Sequence, residues 1–253
     1  MVVVGNGWQP RDLAEAVRAV ALDEDVGIAG GRNAGVPHVE GELLLFLDDD
    51  ASLESDDALD RIARRFDAEP RLGLVQLRVL PRGGGRPARD WVPRLRVGDP
   101  ARSSAVTAVW EGAVVMPRAL FERVGGWPAE FRHAHEGIDL AWRVLDAGYD
   151  VWYAGDAAVL HPPTASALPH AYSHYFGARN RVWLARRHLP LPLGIAYVLT
   201  YILRTLPHLR SRRAARESAR GYLAGIREPC GSRRRLRART ILRMTRAGRP
   251  PII

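Results

Sequence analysis

Apolar runs and amphipathic stretches alternate along the first two thirds of the chain, and from about residue 168 onward only helical spacing remains. Val2-Val3-Val4 predicts a short buried strand, with Gly5-Asn6-Gly7 as the turn after it. From Gln9 to Ala21 the apolar positions Leu13, Ala16, Val17 and Val20 recur at helical spacing. Val26 to Ala29 predicts a strand, Gly30-Gly31 a break, and Arg32 to Val39 a helical turn. Leu43-Leu44-Leu45-Phe46-Leu47 is unbroken apolar sequence, as in a central parallel strand covered on both faces, and it stops at Asp48-Asp49-Asp50. Asp57 to Phe66 predicts a helix and Leu72 to Val79 a strand, and the proline-, glycine- and arginine-rich residues 81–103 a loop. Ala113 to Met116 predicts a strand, and Pro117 opens a helix, where its missing N–H costs nothing. Glu136 to Ala147 is an amphipathic helix ended by Gly148, and Tyr149 to Tyr153 a strand. Ala171 to Leu189 and the apolar Leu191 to Leu203 predict two further helices.

Strands alternating with helices imply an α/β domain with a mixed, mainly parallel sheet and helices on both faces. The expected division is a domain over residues 1–190 and a basic helical tail over 191–253. A chain of 253 residues can bury one sizeable core, and an apolar content of 47% excludes disorder as the default. The single Cys230 rules out an intramolecular disulfide and fits a reducing compartment. Met1 runs directly into the first strand, without a basic start or a long apolar segment. Charge divides the chain. Residues 1–169 hold 18 arginines and 26 acidic residues, whereas residues 170–253 hold 19 arginines and only Glu217 and Glu228. Such a tail attracts polyanions.

Candidate chemistry collects at four places. Asp48-Asp49-Asp50 follows a buried strand, and strand ends deliver side chains to the ligand-binding edge of α/β sheets. Carboxylates so placed can share a divalent ion with a diphosphate; a solvated acidic turn is the plain alternative. In Gly30-Gly31-Arg32-Asn33-Ala34-Gly35 the glycines permit close backbone approach and the arginine can pair with phosphate, although a flexible turn looks the same. In the helix from His135 to Arg143, Glu136 is either a cap or a general base, and Asp139 with Arg143 fits a surface ion pair. His161 follows the strand-like Ala157-Ala158-Val159-Leu160, where it is structural or completes a metal shell.

In this order the motifs resemble the family 2 glycosyltransferases of GT-A, Rossmann-like fold. The resemblance is carried by the strand ending in Gly5-Asn6-Gly7, Arg32-Asn33-Ala34-Gly35, Gly41-Glu42 leading to Asp48-Asp49-Asp50, and Gly125-Gly126-Trp127. It continues through Asp139-Leu140-Ala141-Trp142-Arg143, Gly148-Tyr149 and His161, and spans roughly residues 1–190. It implies metal-dependent, inverting transfer of a sugar from a nucleotide sugar to an acceptor hydroxyl. Asp50 and His161 would hold Mn2+ or Mg2+. Asn6, Arg32, Asn33, Gly35, Asp48 and Asp49 would line the nucleotide-sugar pocket. Glu136 or Asp139 would be the catalytic base, and Trp110-Glu111-Gly112-Ala113 resembles the acceptor side. The family's helix motif carries Glu-Asp, and its second acid is often taken as the base; here that place is Gly137. The chain also begins at what resembles the family's second strand, so a first strand and helix are expected either upstream of Met1 or lost.

The tail adds a partner class. Leu191 to Leu203 is too short to span a bilayer but long enough to lie in its interface, with Arg233, Arg234, Arg235, Arg237, Arg239, Arg243 and Arg246 as candidate contacts for anionic lipid. No aromatic residues interleave these arginines, which argues against a nucleic-acid surface. Arg179-Asn180-Arg181 is placed to face the site. The expected setting is the cytoplasmic membrane face and a lipid-linked or cell-envelope glycan acceptor. Two rivals stand beside this reading: a sugar nucleotidyltransferase, whose glycine-rich basic signature near the amino terminus is missing, and a truncated, inactive polyanion-binding remnant.

Overall fold

In the computed structural model, which describes residues 1–163, 170–209 and 211–252, the chain opens with β1 (Val2–Asn6) and β2 (Arg18–Leu22). They pair in parallel from Val2–Arg18 to Asn6–Leu22. The helix expected over Gln9 to Ala21 does not form. Its second half becomes β2, in which Val20 and Leu22 point inward on a two-residue period, so strand pairing overrides the helical spacing. The strand expected over Val26 to Ala29 is instead the start of α1 (Gly27–Gly35), and Gly30-Gly31 lies inside the helix rather than breaking it. These small residues let α1 approach β1 closely: a Cβ at Gly35 would reach 3.0 Å from Val4 Cγ2.

The larger sheet uses β3 (Leu43–Leu47), β4 (Ser52–Leu53), β5 (Leu72–Pro81), β6 (Ser104–Ala105), β7 (Ala113–Pro117) and β8 (Asp150–His161). Its order is β3-β7-β5-β8-β4, with β6 added on β8. The apolar run β3 is therefore not a central parallel strand. It stands at one end of the described order and runs antiparallel to β7. Within this sheet β5 and β8 are parallel and the other pairings antiparallel. A run of leucines reports that both faces are covered but not which way the neighbour runs. Here Leu44 and Phe46 enter one apolar cluster, while Leu43, Leu45 and Leu47 lean on another.

Helix α2 (Ala58–Ala68) covers the second cluster through Ile62, while α3 (Arg118–Val124) and α4 (Glu136–Asp146) cover the first. Four helices follow: α5 (His170–His188), α6 (Leu191–Thr205), α7 (Arg212–Arg227) and α8 (Ala238–Arg246). The start of the helical stretch expected from residue 168 lies outside the described residues. The basic tail shares the core of the body, because Tyr197, Leu236 and Met244 are buried in the same cluster as Leu140 and Trp142. Several tail arginines serve this attachment: Arg234 donates to Val124 O, Arg237 pairs with Asp146, and Arg243 pairs with Asp150. Among the described residues no helix is long and apolar enough to cross a membrane.

Candidate active site

Two strand ends meet at the acidic tip. β3 ends at Leu47 beside Ala113, and the next amide, Asp48 N, donates to Gly112 O at 3.0 Å. β4 then pairs with β8, Ser52 opposite Leu160, which returns the Asp48–Asp50 turn to the end of β8 where His161 stands. A register shift in β8 after Ala154 lets its last residues run beside the end of β5, with His161 opposite Pro81. His161 Nε2 lies 3.1 Å from Asp50 Oδ1 and 3.8 Å from Asp48 Oδ2. Arg82 donates to Asp50 O at 3.0 Å and fixes the turn.

These three residues can hold a divalent metal ion: one ligand atom from each lies within 4.8 Å of the others. The donor set fits. His161 Nδ1 faces Pro162 O at 2.7 Å, and in the tautomer that donates to this carbonyl Nε2 offers a lone pair toward the two aspartates. Three electron-rich groups aimed at one point suit a hard cation. Trp91 and Trp110 wall the imidazole, each ring 5.4 Å from it. Both walls hang on buried Gln76 of β5, whose amide donates to Trp91 O and accepts from Trp110 N, each at 2.7 Å. Gln76 carries no sequence signal beyond being one polar residue in an apolar strand.

Arg32, near the end of α1, reaches Asp48 Oδ1 at 2.6 Å and stacks over the Trp127 ring at 5.2 Å. Asp49 is exposed at the tip. Asn33 has both amide atoms committed: Nδ2 donates to Trp127 O, and Oδ1 accepts from Trp127 N, each at 2.9 Å. Asn6 is committed in the same way to Asp25, Gly27 O and Val26 N. Gly35 is buried against β1.

Helix α4 carries the remaining acids. Glu136 is only 2% exposed, and its Oε1 has no hydrogen-bond partner. Burial, reinforced by neighbouring Glu111, pushes its carboxyl up to about 8. Glu111, absent from the expected site residues, accepts from Gly137 N at 2.7 Å through Oε1. Its own carboxyl is raised by burial, against that hydrogen bond and the charge of Arg32. The signal that could have found it is a lone acid inside the apolar stretch from Ala105 to Met116. Asp139, 1% exposed, turns away toward the helical tail: Arg143 Nε and His188 Nε2 each lie 2.7 Å from it, and Arg187 Nη1 3.4 Å. Burial alone would raise this carboxyl, yet Arg143, His188 and Arg187 hold it well below the usual range.

The segment leading into α4 is strained, with positive φ at Arg132 (60°), Ala134 (69°) and His135 (71°). Asn180 of α5 holds it in place. Its Nδ2 donates to Phe131 O, His133 O and Ala134 O at 3.0, 2.7 and 2.9 Å. Arg179 adds bonds to Glu130 O and Phe131 O, so these two residues support the site from behind.

The family model described as glycosyl transferase family group 2 matches residues 43–215. Among solved structures, GalNAc-T7 with UDP, GalNAc and Mn2+ superposes with a TM-score of 0.61 at 13% identity, over 90% of this chain and 49% of that one. The mannosyltransferase PcManGT from Pyrobaculum calidifontis, in complex with GDP-Man and Mn2+, gives 0.51 at 20% identity, over 92% and 67%. S. aureus TarS 1–349 in complex with UDP-GlcNAc gives 0.53 at 13% identity, over 85% and 66%. This chain thus spans about half the length of GalNAc-T7. No curated protein matches by sequence. The fold is the expected GT-A arrangement, and the chain belongs to the glycosyl transferase family group 2.

Proposed function

We propose that the protein transfers a sugar from a nucleoside-diphosphate sugar to an acceptor hydroxyl, with inversion and with a divalent ion, Mn2+ or Mg2+, at Asp48, Asp50 and His161. The observation that carries the reading is the convergence of these ligand atoms within 4.8 Å at the carboxyl end of β3 and β8. A cation there supplies charge neutralisation of the departing diphosphate. Asp48, Asp49 and Arg32 face the nucleotide sugar, while Asn6, Asn33 and Gly35 shape the backbone beneath it. Glu136 is a buried carboxyl at the start of α4, and Asp139 anchors the helical tail rather than moving protons. Calorimetric titration with UDP, GDP, CDP and TDP, with and without Mn2+, tests the proposal. Metal-dependent binding of at least one is expected, and Asp50→Ala removes it. Absent binding, or binding unchanged in that variant, contradicts the reading.

A peripheral place on the cytoplasmic membrane face, with a lipid-linked or envelope-glycan acceptor, is supported by α6. Leu191, Ile195, Leu199 and Leu203 recur every four residues and are 52–70% exposed, and exposed Leu206 extends the stripe. Arg204, Arg212, Arg213 and Arg216 are exposed on and after this helix. An apolar stripe edged by guanidinium groups suits the interface of an anionic bilayer.

A further inference from the structure

We propose that Glu111 is the catalytic base of this transfer, the carboxylate that takes the acceptor's hydroxyl proton. The inference rests on the sugar-transfer reading above and adds to it the residue that moves the proton.

Position carries the first part of the argument. Trp110 lies with its ring against His161, and Gly112 accepts from Asp48 N. A Cβ on Gly112 would come within 2.3 Å of Asp48 Oδ2. Glu111 stands between these two residues in the chain, and its carboxyl lies close enough to Arg32 and Asp48 to feel both charges.

Anchoring carries the second. Glu111 Oε1 is held by Gly137 N at 2.7 Å, at the amino end of α4, and its other oxygen takes no hydrogen bond from another described residue. Gly137 has no side chain to contest that space. A Cβ there would fall 2.9 Å from Glu111 Oε1 and 2.3 Å from Val109 O. The carboxylate therefore fills the room that a side chain at 137 would need, and it reaches that point from the loop before β7 instead of from α4.

Exclusion carries the third. The alternatives, Glu136 and Asp139, are 2% and 1% exposed. Asp139 is spent on Arg143 and His188, and Glu136 Oε1 is enclosed without a hydrogen-bonding partner. Glu111 is only partly buried. A base must meet its substrate, and Glu111 is the least buried of the three.

In the step itself the acceptor O–H bond breaks and its proton passes to Glu111. The oxygen's electron pair forms the bond to the anomeric carbon. The bond from that carbon to the phosphate oxygen breaks, and its electron pair leaves with the nucleoside diphosphate.

The test compares Glu111→Gln, which keeps an oxygen for Gly137 N, with wild type and with Glu136→Gln. Each protein is titrated with the nucleoside diphosphates and Mn2+, then given UDP- and GDP-sugars with water, glycerol or azide as acceptor. Azide attacks without losing a proton, so it needs no base. The expected result for Glu111→Gln is diphosphate binding within about twofold of wild type, turnover onto water or glycerol down by about 100-fold or more, and turnover onto azide largely kept. Glu136→Gln is expected to keep turnover onto all three. Equal loss onto azide and hydroxyl acceptors, no loss at all, or loss in Glu136→Gln in place of Glu111→Gln overturns the assignment. So does a wild type that binds the diphosphate and turns over no donor. A wild type that binds no nucleoside diphosphate overturns the underlying sugar-transfer reading, an outcome separate from these.

Discussion

Asp139→Asn separates an anchoring carboxylate from a catalytic one. In the folded chain this 1% exposed group meets Arg143 Nε and His188 Nε2 at 2.7 Å and Arg187 Nη1 at 3.4 Å, joining α4 to the end of α5. Removing one member of a buried ion pair costs about 3–5 kcal/mol, because the remaining charges stay buried. The lower end applies here. Arg143 keeps Val124 O and Gly126 O, and Arg187 keeps Glu130. A loss of about 3 kcal/mol lowers the melting temperature of a chain this size by roughly 6–12 °C. The effect depends on pH. Since folding holds the carboxyl below its ordinary value of about 4, the unfolded chain binds more protons in acid, and the stabilisation fades as pH falls through and below that value. The gap between wild type and variant is therefore full at pH 7 and narrows below about pH 4. Thermal melts from pH 3 to 8 measure it, alongside Mn2+-dependent diphosphate binding at 15 °C, where the folded variant keeps binding. A variant that melts with wild type yet loses turnover would make Asp139 the base and refute this account.

Gly112→Ala places a Cβ within 2.3 Å of Asp48 Oδ2 and 2.1 Å of the Trp110 ring, so Mn2+-dependent diphosphate binding should weaken at least about tenfold by calorimetry, a change of about 1.4 kcal/mol. Asn180→Ala leaves three carbonyls of the strained segment without their donor; about 2–4 kcal/mol of stability should be lost in urea unfolding, and kcat should fall more than diphosphate affinity. Glu136→Gln removes a carboxyl that folding pushes up to about 8. The folded wild type binds the extra proton, so its stability declines as pH rises from about 4 toward 8; melts at pH 5 and pH 9 should show a smaller decline in the variant.

The acidic tip was legible because it combines two strong local signals, an apolar strand and an abrupt run of carboxylates, and His161 because a strand delivers it before two prolines. The helices α4, α5 and α6 follow from spacing that no other period contests. Residues 9–29 were misread for the opposite reason. Val20 and Leu22 fit both periods, and pairing with β1 decided between them. The glycines of α1 serve close approach to β1 rather than a break. Sheet order was hidden because Leu43 to Leu47 is apolar on both faces whether its neighbour runs parallel or antiparallel. Glu111 and Gln76 were missed because each acts on backbone 15 to 34 residues away, a relation that no local pattern carries, while Asn180, expected to face the site, is committed to the carbonyls of Phe131, His133 and Ala134.

The most direct test of the metal-bound diphosphate site is anomalous diffraction from crystals soaked with Mn2+ and the nucleoside diphosphate that binds in solution. The expected map shows one manganese peak at coordination distance, about 2–2.5 Å, from Asp50 and His161 Nε2, with diphosphate oxygens on its far side and Arg32 nearby. A peak elsewhere on the molecule, with Asp48, Asp50 and His161 left bare, contradicts it.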